Sequence, residues 1–362
     1  MIWRTLLDEL VTAGHLTPAA TEAAAGALRD PTRNPPPVPW MVRVMVGIGA
    51  WIAGCFGLGS VLMCLGLLID SPSSFLVTTA GLLLLATSVA VRLATPRLFL
   101  GQLALSVGAA GQLLIGGGLV DSALSIGGHA LVWVVLSTAL VLIHPDPVQR
   151  FVSTVVGISS LGVVFQQALP IAAGELTLAV TCALLLAVTF APEARLPARV
   201  SAMRAPLRLG LVVSLLLTTL GGEAAAVLGE LYDSAIPRFS LAPLVLGVAL
   251  LVAIWRVLAA YGRGLASEPG ALAIVTTVLL GALGQGRPGL LGALLALLVS
   301  FVARDKVAVG LSTAFLVGFG VHFYYDLDLS LWTKSGVLVG SGVVLLAVRA
   351  WLHHRRFLTE GA

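Results

Sequence analysis

Nine polar side chains sit inside long apolar stretches of this 362-residue chain: Gln102, Gln112, His129, Gln166, Gln167, Glu175, Glu223, Gln285 and His322. A polar group in hydrocarbon is costly unless partnered, so each marks a helix-to-helix hydrogen bond or a solute path. Gln112, Gln285, Glu223, His129 and His322 form the candidate lining of a polar cavity. As structural glue, each amide would contribute about 0.6–2 kcal/mol by donating and accepting across helices. A second set, Glu230, Asp233, Asp326 and Asp328, gathers where two apolar stretches end. It would form either an acidic mouth that concentrates cations or an ordinary solvated loop.

Catalytic and metal chemistry find little support. The chain has no HExxH, GxSxG or GxxxxGK[ST] motif and no GxGxxG opening a helix after a strand. Tyr325-Asp326 resembles one half of an intramembrane aspartyl dyad, but no GxGD supplies the second carboxylate that must share the proton. Cys55, Cys64 and Cys182 lie in apolar runs without a CxxC or a nearby His and read as small buried hydrophobes. The expectation is a non-enzyme without cofactor or metal.

The elements that position these residues are transmembrane helices. Hydrophobic residues make up 58% of the chain and charged residues 10%, against roughly 25% charged in a soluble domain. In lipid every backbone N–H and C=O must be paired within helices or a closed barrel. The apolar runs lack the alternation of barrel strands, so helices are expected. At roughly 20 residues per crossing, twelve spans fall near 44–68, 74–91, 98–117, 122–143, 151–169, 172–190, 208–229, 240–259, 270–285, 289–303, 307–325 and 334–351. The short pair 270–285 and 289–303 would also serve as a re-entrant hairpin, which leaves the parity unchanged.

Placement of the 21 basic residues gives orientation. With both termini in the cytoplasm, all but Arg238, Arg287 and Lys334 lie inside, as the positive-inside rule requires. The net charge of +4 is thereby a membrane-orientation signal, because the basic residues are scattered singly and do not form a nucleic-acid patch. Residues 1–30 read as a cytosolic helical hairpin, with Thr17-Pro18 starting its second helix. Residues 31–39, with five prolines, read as a stiff linker. No cleavable leader is expected, so the first span directs insertion.

The Arg- and Pro-rich stretch 191–207 divides the spans into halves 40–190 and 208–352, with 353–362 as a cytoplasmic tail. Gly108-Ala109-Ala110-Gly111-Gln112 is similar to Gly281-Ala282-Leu283-Gly284-Gln285, which suggests a six-plus-six pseudo-repeat of parallel halves. The glycines of span one (Gly47, Gly49, Gly54, Gly57, Gly59) and Gly116–Gly118 suit close helix packing or a broken helix at a binding site.

Pro39-Trp40-x-Val42-Arg43, Gly47-x-Gly49-Ala50-Trp51 and Ala104-Leu105-Ser106 through Gly111-Gln112-Leu113-Leu114-Ile115-Gly116 resemble the bacterial multi-pass family called domain of unknown function 4401. The resemblance implies an inner-membrane location and a small membrane partner carrying a GDYxxLxY motif. It implies no activity and no catalytic residues. The function expected is that of a transporter or permease-like protein. A non-catalytic scaffold that binds other membrane proteins is the alternative, and membership of the major facilitator proteins is not expected because 91–97 lacks their Gly-x-x-x-Asp-basic signature.

Overall fold

A computed structural model describes residues 11–12, 17, 21, 40–68, 73–94, 98–120, 124–192, 198–231, 241–283, 288–326, 335, 339, 343 and 346. Among the described residues the ordered elements are helical, and each of the first eleven expected spans is overlaid by one helix. Among the described residues, seven helical segments are long and apolar enough to cross a membrane, which marks the chain as a membrane protein. The expected hairpin 1–30 and linker 31–39 lie outside the described residues apart from Val11, Thr12, Thr17 and Thr21. Thr21 donates its amide to the Thr17 carbonyl at 3.0 Å, one helical turn back. Of the twelfth expected span, Ser335, Val339, Val343 and Leu346 are described, and all four are helical.

Contacts group the chain into two units, 1–120 and 121–362. The helices on either side of 191–207 belong together in the second unit.

The first unit contains α1 (Trp40–Leu68), α2 (Ser74–Ala94) and α3 (Leu98–Val120). Lipid gives apolar helices no hydrophobic reason to associate, so close approach must come from small residues. On α2 the facing residues are Ser74, Thr78, Gly81, Leu85, Ser88 and Arg92; on α3 they are Gly101, Ala104, Gly108, Gly111, Ile115 and Gly118. Both sets advance by alternating threes and fours, the spacing of a helix–helix seam. The two run antiparallel, with Gly118 against Ser74 and Thr78 at one end and Gly101 against Arg92 at the other. At the centre a Cβ on Gly111 would lie 2.7 Å from the Gly81 carbonyl oxygen and 2.9 Å from the Leu85 nitrogen. Backbone therefore touches backbone. Helix α1 joins through buried Ala50 and Gly54, and Ser106 of α3 donates to the Ala50 carbonyl at 3.3 Å.

The second unit contains α4 (Ile126–Ile143), α5 (Pro147–Ala168), a 3-10 turn at Pro170–Ala172, α6 (Ala173–Phe190), α7 (Ala198–Leu231), α8 (Ala242–Ala260), α9 (Glu268–Leu283), α10 (Gly289–Val302) and α11 (Lys306–Asp326). Its core interleaves Leu178 and Leu185 of α6, Leu211, Leu215 and Leu216 of α7, Leu246 and Ala253 of α8, and Leu295, Ala296 and Val299 of α10. Glycine opposite hydroxyl recurs at its helix crossings. Gly157 faces Ser137, Gly162 faces Thr177, Gly210 faces Thr154 and Gly292 faces Thr219. The threonines keep their hydroxyls satisfied by donating to carbonyls of their own helix, as Thr154 does to Arg150 and Thr177 to Ala173. Such hydroxyls can then occupy apolar crossings without leaving a polar group unpaired.

Two helices of the second unit begin well before their expected starts. The seventh helix begins at Ala198, not near 208, so 198–207 of the stretch expected as a loop is helical. The fifth helix begins at Pro147, not near 151, because Asp146 accepts the Val148 amide at 2.9 Å and Pro147 occupies the first turn. Gln149 and Arg150 thus become helical.

Candidate functional site

The second unit carries a cavity of about 250 Å³ between α4, α5, α6 and α7. Val134, Val141, Ile158, Leu161, Leu184, Val188, Leu207 and Leu211 make its lining chiefly apolar, and Ser137, Thr138, Ser153 and Thr154 add four hydroxyls. Thr138 and Thr154 donate to the Val134 and Arg150 carbonyls at 2.8 Å, while Ser153 Oγ accepts from the side-chain Nε2 of Gln149 at 3.2 Å. Two close crossings border the cavity. Gly157 lets α5 approach Ser137, and Gly210 lets α7 approach Thr154, where an added Cβ would lie 3.1 Å from the Phe151 carbonyl oxygen. The mouth is lateral: Thr138 and Leu184 are exposed on the flank of the bundle.

Beneath the cavity lies a polar layer formed by one end of the unit. His144 and Asp146 in the α4–α5 turn are buried, as are Gln149, Arg150, Ser153 and Thr154 on α5. The Asp146 amide donates to His144 Nδ1 at 3.2 Å, which fixes the turn. Arg204 of α7 donates to the Val188, Thr189 and Ala191 carbonyls at 2.9–3.0 Å. Arg256 of α8 donates to the Phe190 carbonyl at 2.9 Å, and its guanidinium lies 5.7 Å from the Phe190 ring centroid. Two cations therefore close the C-terminus of α6, where the last carbonyls have no helical partners and the helix dipole is negative. Arg208 approaches Asp305 at 4.0 Å, and Asp305 also accepts the Val307 and Ala308 amides at the start of α11.

The residues expected to form a polar cavity do not line this one. Gln112 is half-buried on α3 in the first unit, where its Nε2 is buried without a hydrogen-bond partner. His129 is half-buried in the first turn of α4, and His322 is half-buried near the end of α11. Glu223 and Glu230 lie on α7 and Asp326 closes α11, with their side chains outside what is described. Gln285, Asp233 and Asp328 lie outside the described residues. The structure adds the layer from His144 to Thr154, together with Arg204 and Arg208. Its sequence signal was Pro145-Asp146-Pro147, a helix start that places Gln149, Arg150, Ser153 and Thr154 on neighbouring positions of one helical face.

No curated protein and no solved structure matches the chain. The sequence model of the family described as Domain of unknown function (DUF4401) matches residues 39–355, and the chain belongs to that family.

Proposed function

We propose that this family member is a permease-like protein of a bacterial inner membrane, with about twelve spans and both termini in the cytoplasm, that handles an amphipathic solute without catalysing a reaction. The observation that carries this reading is the cavity between α4 and α7, apolar along most of its wall, with four hydroxyls in its lining and buried Arg150 one helical turn from its lining residue Thr154. A small hydrophilic solute would need converging donors and acceptors, whereas the Thr138 and Thr154 hydroxyls already donate within their own helices. A solute with an apolar body and one polar end fits both surfaces. Placing the arginine layer in the cytoplasm agrees with the bias of basic residues. The units divide at 120 and 121, away from the six-plus-six boundary. The proposal does not require that repeat.

The alternative, a non-catalytic scaffold, draws on α1. An added Cβ on Gly47, Gly49, Gly57 or Gly59 would meet nothing within 4 Å. Met45, Ile48, Ile52 and Phe56 are exposed, so another apolar helix could approach that surface. Affinity purification of the full chain, with identification of copurified lipids, small molecules and proteins, separates the two. Permease-like handling predicts a stoichiometric amphiphile, whereas a stoichiometric small membrane protein without one supports the scaffold.

A further inference from the structure

The four hydroxyls that line the cavity between α4 and α7 are not equivalent. Thr138 and Thr154 spend their protons on carbonyls of their own helices, at 2.8 Å. Ser137 of α4 is 3% exposed and lines the cavity, and among the described residues its hydroxyl makes no hydrogen bond. Ser153 of α5 is 2% exposed, and its Oγ accepts from Gln149 Nε2 at 3.2 Å, which leaves its own proton to be donated. We propose that the cavity binds a neutral, largely apolar molecule drawn from the bilayer, whose carbonyl oxygen accepts hydrogen bonds from Ser137 and Ser153. This inference rests on the cavity being the place where the solute is held, and it narrows that solute to an uncharged carbonyl compound.

The two serines lie close along the cavity. An added Cβ on Gly157 would sit 3.1 Å from the Ser137 Cβ and 3.8 Å from its Oγ, and Ser153 precedes Gly157 by one turn on the same side of α5. Gly157 itself brings no side chain to fill the space beside them. A buried hydroxyl proton without an acceptor carries a desolvation penalty that an accepting oxygen removes. A charged headgroup would gain nothing there, because no lining residue is charged.

Size and access fix the rest of the molecule. The volume of about 250 Å³ exceeds the roughly 150 Å³ of a dry apolar cavity that takes benzene. It is below the roughly 300–1,000 Å³ of pockets for drug-sized ligands, so one or two rings or a short chain fit beside the carbonyl. Exposed Leu131, Val135 and Leu142 share one face of α4 with Thr138 at the mouth, and Leu184 of α6 is exposed beside it. A molecule dissolved in hydrocarbon therefore reaches the cavity without crossing water.

Photolabelling of the full-length protein in lipid nanodiscs with adamantyl diazirine, an apolar probe, tests the proposal. The probe should label the buried lining residues Ile158 and Leu211, and lipid-facing Leu131 serves as the reference for its membrane concentration. Two competitors, 2-acetylnaphthalene and 2-ethylnaphthalene, have nearly the same shape, and only the first carries a carbonyl oxygen. The acetyl compound should suppress labelling of Ile158 and Leu211 at a membrane concentration about tenfold lower, a difference of about 1.4 kcal/mol. The double variant Ser137→Ala, Ser153→Ala should lose this preference and still be labelled at both residues, whereas Thr138→Val should keep it. Absence of labelling at Ile158 and Leu211, equal suppression by the two competitors, or a preference that survives the double variant would overturn the proposal. Copurification separates this from the broader reading. A stoichiometric charged amphiphile in a protein without carbonyl preference keeps the permease-like role and overturns this site. Carbonyl preference in a chain that copurifies with a small membrane protein and no amphiphile keeps the site and removes that role.

Discussion

The seam between α2 and α3 and the core around α6 and α7 hold helices together in different ways. In the seam, Gly81 and Gly111 remove side chains so that backbones meet, and Ser88, Thr78 and Ala104 share the contacts with Leu85, Ile115 and Arg92. In the core, Leu178, Leu185, Leu211 and Leu215 interdigitate, and the polar work is moved to one end, where Arg204 and Arg256 close α6. Close approach gains dispersion and backbone contacts over a long line. Interdigitated leucines keep helices further apart, and the separation leaves room for a cavity. The difference accounts for the cavity's position: it opens where α4 to α7 meet through a few glycine–hydroxyl crossings and leucine elsewhere.

The largest expected effect breaks the seam. Gly111→Leu drives a branched side chain into the Gly81 carbonyl and the Leu85 nitrogen, backbone atoms that cannot rotate away. Overpacking of this kind should destabilise by about 3 kcal/mol or more, read as a lower unfolding midpoint in mild detergent. Leu215→Ala tests the core at a fully buried site. Lipid is as apolar as leucine, so the loss is mainly packing and residual cavity, about 2 kcal/mol by the same measurement. If Gly111→Leu proves milder than Leu215→Ala, backbone contact is not what closes the seam.

Arg204→Gln should cost about 1.5 kcal/mol, since a neutral amide cannot replace a guanidinium spread over three carbonyls. Amide exchange should rise at the end of α6 and remain unchanged in α2 and α3. The smallest effect is a gain. Arg304 ends α10 at φ 56°, with its amide donating to Phe301 and the Asp305 amide to Ser300. Glycine adopts that conformation freely, so Arg304→Gly should raise stability by about 0.5 kcal/mol.

Helix positions were legible because twenty-residue apolar runs leave few alternatives in lipid. The start of α5 was less so, since hydropathy falls at His144-Pro145-Asp146-Pro147 although the capping residue and proline there open a helix. The α2–α3 seam was hidden by its mixed membership: Thr78, Leu85 and Ile115 differ in hydropathy yet share one face with the glycines. The cavity carried no motif, because valine, leucine and threonine are common in any span. Its arginine layer was visible only as orientation charge. Arg150, Arg204 and Arg208 each counted once toward the cytoplasmic side, while their packing depends on helices distant in sequence.

The central claim is a multi-pass bundle whose arginine layer and cavity floor face the cytoplasm. Single cysteines at the exposed positions Leu124, Ile171, Val148, Tyr261 and Val307, in a background lacking Cys55, Cys64 and Cys182, test it in intact cells. A membrane-impermeant maleimide should label Leu124→Cys and Ile171→Cys from outside. Val148→Cys, Tyr261→Cys and Val307→Cys should react only after the membrane is opened. The reverse pattern, or labelling of all five from outside, would contradict the account.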